Sequence, residues 1–280
     1  GCSNLGSTVE DYIVDWRNGR NNEHTSTLAF SGYQRESYHV DVKCPRFGSG
    51  EAKCTITSTV RGLDLYILVD VCNYSITYNM NGYVNHMSPD DHYQDLKRVI
   101  QACAGKAHRI TVIMPFLYEG RQHKRAGRES LDCAVALQEL THMGVDSIIT
   151  FDAHDPRVQN AIPLNNFDTI MPTYQFIKGI LKNVPDIKMN ADNMMIISPD
   201  EGAMNRAVYF AGVIGGDVGM FYKRRDYATV VNGKNPIVAH EYLGRKLDGK
   251  DVIIVDDMIS SGESMLDVAR ELKKRNAGRI

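Results

Sequence analysis

The sequence predicts an α/β protein with parallel sheets. Three observations carry this expectation: short apolar runs rich in β-branched residues, longer amphipathic segments alternating with them, and strand, loop and helix units in both halves of the chain. Strands are expected at Leu65 to Val69, Arg109 to Met114, Ser147 to Phe151, Met194 to Ser198, Val218 to Phe221 and Asp251 to Val255. Helices are expected at Asp91 to Ala104, Glu129 to Met143, Thr173 to Lys182, Gly202 to Ala211 and Glu263 to Asn276. Tyr78 to Pro89 is polar and carries turn residues, so it reads as a loop. Arg224 to Tyr242 reads as a second loop, longer than a passive link and more typical of a lid. At the start, the amphipathic "VEDYIVDW" and the polar "RNGRNNEHTS" read as an appended helix and a linker. The resulting organisation is an extension over 1–27, one domain over 28–172 and a second over 173–280, with the boundary near Pro172.

Composition narrows the ligand class. With 280 residues and 43% hydrophobic content the chain can bury a full core. A formal net charge of -2 and a pI near 6.5 supply no basic stripe for a nucleic-acid backbone, so small molecules are the expected ligands. The six cysteines are widely spread and contain no Cys-x-x-Cys pair, which argues against a zinc ribbon and a disulfide framework and for a reducing compartment. No apolar run reaches the roughly 18 residues of a spanning helix, and the start lacks a charged-then-apolar signal peptide. The expected location is cytoplasmic, with no membrane partner.

The stretch "VIIVDDMISSGES", Val252 to Ser264, carries the chemistry. After the strand, serines and a glycine lead into a helix, where backbone N–H groups and hydroxyls gather at a positive helix end and suit a phosphate. Asp256 and Asp257 stand at the strand's carboxyl end, a usual ligand position in open α/β sheets, and can accept from vicinal hydroxyls or hold magnesium through water. A sugar phosphate meets both demands. The plain alternative is an Asp-capped loop with Ser264 as an ordinary helix cap.

That stretch resembles the phosphoribosyl-pyrophosphate-binding motif of the type I phosphoribosyltransferase fold. From about Phe30 onward the chain resembles the ribose-phosphate diphosphokinase family, through "RFGSGE" at Arg46, "PFLYEGRQHKR" at Pro115, "FDAHD" at Phe151, "SPDEGAMNR" at Ser198 and "YKRRD" at Tyr222, all in the family's order. The resemblance implies two type I phosphoribosyltransferase-like domains and transfer of the β,γ-pyrophosphoryl group of ATP to ribose 5-phosphate. It implies ATP binding by Phe47, Ser49, Glu51, Arg121 and Gln122, where Phe47 offers a π-face to adenine and Glu51 an acceptor to its amino group. It implies sugar-phosphate binding by Asp200, Asp256, Asp257, Ser260, Ser261, Gly262, Glu263 and Ser264, and a second anion-binding geometry where Asp200 precedes a glycine and a helix. Magnesium falls to Asp152 and His154, and catalysis to His154 with Lys223 and Arg225, whose charge would meet phosphoryl oxygens in the transition state. A homo-oligomer, dimer or hexamer, is implied too, with Phe47 reaching the nucleotide of a neighbouring subunit.

Each residue also has a bland reading: core packing for Phe47, a structural or solvated histidine for His154, a solvated surface for "KRR". The sequence departs from the family at Ser260, where aspartate is common, at Glu263 and Ala203, where glycine is usual, and at Ser49, where the family has an acidic or amide residue. The stretch before "RFGSGE" is short, Tyr78 to Pro89 looks inserted, and the family continues beyond the point where this sequence stops at "AGRI". Two other classes stay open. A noncatalytic regulatory relative would lose catalytic side chains, yet His154, Lys223 and Arg225 are present; a nucleobase phosphoribosyltransferase would share only the sugar-phosphate loop.

Overall fold

The computed structural model describes residues 2–20, 35–225 and 237–280, with side chains described throughout except at 223–225 and 237–240. It divides into two compact units, Gly1–Met171 and Pro172–Ile280.

In the first unit, helix α1 (Ser3–Gly19) buries no residue of its own. It is tied to the chain by Glu10, which accepts from the Ser37 hydroxyl at 2.6 Å and from the backbone N–H groups of Tyr38 and His39 at 2.6 and 3.1 Å. Of the polar stretch read as a linker, Arg17 to Gly19 belong to the helix and residues 21–26 lie outside the described residues. Two short strands, β1 (Val42–Lys43) and β2 (Thr55–Ile56), pair antiparallel.

The main sheet of this unit comprises β3 (Asp64–Leu68), then β6 (Arg109–Met114), β7 (Ser147–Phe151) and β8 (Asn166–Ile170), in that spatial order and all parallel. Val112 and Ile148 are register partners at its centre and fully buried. Helices α2 (Pro89–Cys103) and α3 (Asp132–His142) contribute Leu96, Ile100, Leu137 and Leu140 to the same core. α2 starts two residues before the expected Asp91 for a local reason. Ser88 accepts from the Asp91 N–H at 3.2 Å, the Asp91 carboxylate accepts from the Ser88 N–H at 3.0 Å, and Pro89 suits the first helical position.

The stretch expected as a loop from Tyr78 is instead a hairpin, β4 (Thr77–Met80) against β5 (Tyr83–His86). Its turn is Asn81-Gly82, both at positive φ (50° and 84°), the backbone that matches the right-handed twist of two joined strands. The signal stood in the sequence as Asn-Gly between alternating residues. β8 was overlooked because only its second and fourth residues are partly buried, as suits an edge strand.

The second unit begins with helix α4 (Thr173–Asn183). Its sheet runs β11 (Ile237–Leu243), β10 (Asp217–Arg225), β9 (Met194–Ser198), β12 (Asp251–Ile254), parallel except for β11. β9 is buried along its whole length because both faces of the sheet are covered. Met194 and Ile196 pack against helix α5 (Met204–Ile214), whereas Met195 and Ile197 share a cluster with Val268 and Leu272 of helix α6 (Glu263–Lys274). The long loop expected from Arg224 is corrected at both ends: β10 continues to Arg225 and the chain returns antiparallel from Ile237. Only 226–236, the core of the expected lid, lie outside the described residues. Among the described residues, no helix is long and apolar enough to cross a membrane, and all six cysteines are unpaired thiols.

Alternation of β9 between two covered faces predicts that Ile196→Ala and Ile197→Ala each destabilise by about 2–5 kcal/mol. Urea unfolding followed by circular dichroism measures this, and a loss within about 0.5 kcal/mol for either would mean that its face is open to water.

Candidate functional site

The loop after β1 is shaped by its own backbone. The Phe47 N–H donates to the Glu51 carbonyl at 2.7 Å, and the Gly50 N–H to the Phe47 carbonyl at 2.9 Å. Beneath it, Arg46, with a side chain 8% exposed, makes a fork to Asp95 of α2 at 2.6 and 2.9 Å. The β4–β5 hairpin braces the other side. The Asn81 N–H donates to the Gly48 carbonyl at 2.9 Å, and Gly50 (φ 92°) lies so close to Met80 that a Cβ there would sit 2.7 Å from its sulfur. The loop therefore holds Phe47 outward, 52% exposed, which removes the core-packing reading. Ser49 donates to Glu51 at 2.9 Å, so Glu51 is oriented beside the ring's loop.

At the end of β6 the chain turns at Glu119 (φ 52°), with the Gln122 N–H on the Glu119 carbonyl at 2.8 Å. Arg121 and Gln122 are exposed. His123 turns inward, with its Nε2 3.5 Å from Asp155, its Nδ1 buried without a partner, and its ring 5.1 Å from that of His154. Asp155 caps the following 3-10 turn, and its hydrogen bonds with Arg157 hold its carboxyl down at about 2. Asp152, between β7 and this cluster, adopts a left-handed backbone (φ 40°) that non-glycine residues rarely take, and its N–H donates to Ile170 of β8 at 3.0 Å. The neighbouring β8 thus fixes the strand end that carries Asp152 and His154.

In the second unit, β12 delivers Asp256 and Asp257 side by side. The Asp257 N–H donates to Asp256 Oδ1 at 2.9 Å. Arg206, on α5 and only 6% exposed at its side chain, lies 3.7 Å from Asp256 and 3.5 Å from Asp257, itself 6% exposed. Burial, then the hydrogen bond with Asp257 and the nearby charge of Asp200, push the Asp256 carboxyl up to about 6. Past the pair, Ser260 and Ser261 are exposed, and Gly262 takes the left-handed conformation (φ 81°) as the N-cap of α6. Gly262 itself has no side-chain acceptor, and the Glu263 N–H donates to the Ser261 hydroxyl at 3.4 Å. Ser264 lies inside the helix with Glu263 before it, so the reading of Ser264 as the helix cap is corrected. The mouth of α6 keeps an anion-accepting character.

Asp200 behaves differently from expectation. Its Oδ1 accepts from the N–H groups of Gly202 and Ala203 at 3.0 and 3.3 Å, so the N–H groups expected to meet an anion already hold this carboxylate. Lys223 and Arg225 lie on the backbone of β10, and their side chains are outside the described residues. Two residues escaped the sequence reading, His123 and Arg206. Arg206 had a signal: it stands four residues before Phe210 on the apolar stripe of α5, where a charge is rarely left without a purpose.

Comparison with known proteins gives three likenesses. Residues 24–144 match the family model for the N-terminal domain of ribose phosphate pyrophosphokinase, and residues 164–280 match that for the phosphoribosyl transferase domain. Ribose-phosphate pyrophosphokinases of Vibrio parahaemolyticus and Thermosipho africanus are 29% and 28% identical to the chain, covering 86% of it and 69% of each relative. The crystal structure of phosphoribosylpyrophosphate synthetase from Mycobacterium smegmatis aligns at a TM-score of 0.68 and 22% identity, over 85% of this chain and 70% of that one. At that identity the shared property is the fold.

The brace under Phe47 is testable. Asp95→Ala leaves the Arg46 guanidinium buried without its partner, and should cost about 3–5 kcal/mol of stability in urea unfolding. A loss near zero would show that Arg46 does not depend on Asp95.

Proposed function

Because this chain belongs to the ribose-phosphate pyrophosphokinase family, we propose that it transfers the β,γ-pyrophosphoryl group of ATP to the anomeric hydroxyl of ribose 5-phosphate, giving AMP and phosphoribosyl pyrophosphate. The observation that supports this reading most is the pairing of two chemistries at the end of β12: half-buried acceptors at Asp256 and Asp257, and a helix mouth at Gly262, a residue with no side-chain acceptor of its own. A sugar phosphate separates these by its own ring. Its phosphate takes the N–H groups and hydroxyls of Ser260 to Ser264, and its ring hydroxyls donate to the carboxylates.

In this reading ATP binds to the first unit. Phe47 stacks on adenine, Glu51 accepts from the amino group, and Arg121 and Gln122 supply a planar cation and an amide to the nucleotide. The family resemblance implies a homo-oligomer in which Phe47 serves the nucleotide of a neighbouring subunit, and the exposed ring is compatible with that role. Magnesium would be held by Asp152 and His154. Magnesium takes few protein ligands and completes its shell with substrate phosphate and water. When bound, it neutralises charge on the phosphate oxygens. Asp200 keeps its loop turned so that β9 and β12 present their ends together, and Lys223 and Arg225 supply positive charge to the pyrophosphoryl group as it moves. The anomeric oxygen forms a bond to the β-phosphorus, the bond from that phosphorus to the α–β bridging oxygen breaks, AMP leaves with that oxygen, and the anomeric proton passes to solvent or a nearby base.

The test is AMP release from ATP with magnesium, with and without ribose 5-phosphate. AMP should form only with the sugar, and Lys223→Ala and Arg225→Ala should each lower kcat by about 10²–10³-fold with nucleotide affinity nearly intact. Sugar-independent AMP release, or none at all, contradicts the proposal.

A further inference from the structure

Among the described residues, Arg206 is the buried basic side chain that meets both carboxylates, and the reaction as described gives it no part. It is charged at every working pH, its side chain is 6% exposed, and Asp256 and Asp257 are its neighbours at 3.7 and 3.5 Å. It approaches from α5, the element opposite the carboxylates' own strand, and α5 is fixed against the sheet by Ala207, Phe210 and Ala211 packing on Met194 and Ile196. A guanidinium so mounted cannot follow the substrate.

We propose that Arg206 is a positioning residue for the sugar: a fixed countercharge that keeps Asp256 and Asp257 together, ionised and aimed as acceptors for the ring hydroxyls. This rests on the reading of that site as the ribose 5-phosphate site. The physical argument is that two carboxylates cannot both stay charged out of water without a cation close by. The charged groups that face Asp256 are Asp257 beside it, Asp200 from the loop after β9, and Arg206 from α5. Two of these are acidic and, among the described residues, Arg206 opposes them; the Asp256 carboxyl is held up at about 6. Removing the guanidinium would push it higher still, and a protonated carboxyl donates where the sugar needs an acceptor. The distances exceed those of a tight fork. Arg206 therefore neutralises the pair without taking over the lone pairs that the hydroxyls use.

A purely structural arginine would also be buried and paired, so the experiment separates the two roles. Arg206→Met and Arg206→Lys are compared with the intact chain by steady-state kinetics in both substrates across pH, beside thermal melts. For Arg206→Met the KM for ribose 5-phosphate should rise about ten- to hundredfold while the KM for ATP changes less than about twofold, and the acidic limb of kcat/KM for the sugar should move to higher pH. Arg206→Lys keeps the charge and should recover most of the loss. If Arg206→Met fails to fold, Arg206→Lys against wild type still decides, because a point charge on a shorter stem should leave a sugar-specific rise in KM of a fewfold. Equal changes in both KM values, or an unmoved acidic limb in a folded variant, overturn the proposal. Direct calorimetric titration with ribose 5-phosphate keeps it separate from the reaction assigned above: a wild type that binds the sugar but releases no AMP refutes that reaction, while the variants still report on Arg206.

Discussion

The second unit turns on two partly buried carboxylates held side by side with a guanidinium within 4 Å of each. Everything that makes this tolerable is structural. The strand that carries the pair must be rigid, and the helix that carries the cation must be packed. β9 answers both demands because its alternate residues anchor α5 on one face and α6 on the other. The cost of desolvating charges is then offset locally by Arg206.

The first unit solves a different problem, which is to hold an aromatic ring away from the core. Phe47 would gain by burial, and what prevents collapse is a frame of short contacts: the Arg46 fork to Asp95, the hairpin's hydrogen bond to Gly48, and Met80 filling the space over Gly50. A side chain at Gly50 would displace the hairpin, so glycine there follows from close approach as much as from its φ of 92°. The strained backbone of Asp152 belongs to the same logic, because β8 grips its N–H and fixes where the next residues point. Asp152 and His154 follow the carboxyl end of β7, Asp200 that of β9 and Asp256 with Asp257 that of β12, all of them parallel-paired strands.

Much of this was legible in the sequence. The central strands announce themselves because a strand covered on both faces must be apolar throughout, as in "MMIIS" of β9, and the strand–loop–helix units gave the fold class. The β4–β5 hairpin was missed because polarity was allowed to outweigh the Asn-Gly pair. β11 was missed because an antiparallel return strand breaks the alternation of strands and helices on which the reading relied. At the site, motif order pointed to Phe47, His154 and the Asp256 loop as candidates, but burial is a property of three dimensions, and only the folded chain shows Arg206 beside the two carboxylates and Asp200 already on the N–H groups near it.

The central claim is that the chain moves a pyrophosphoryl group intact, and phosphorus NMR of the product tests it most directly. Incubation with ATP, magnesium and ribose 5-phosphate should give AMP and a sugar bearing two mutually coupled phosphorus nuclei at its anomeric position, in equal amounts. ADP with a singly phosphorylated anomeric position would contradict the account, since the carboxylate pair and helix mouth would then serve an ordinary kinase.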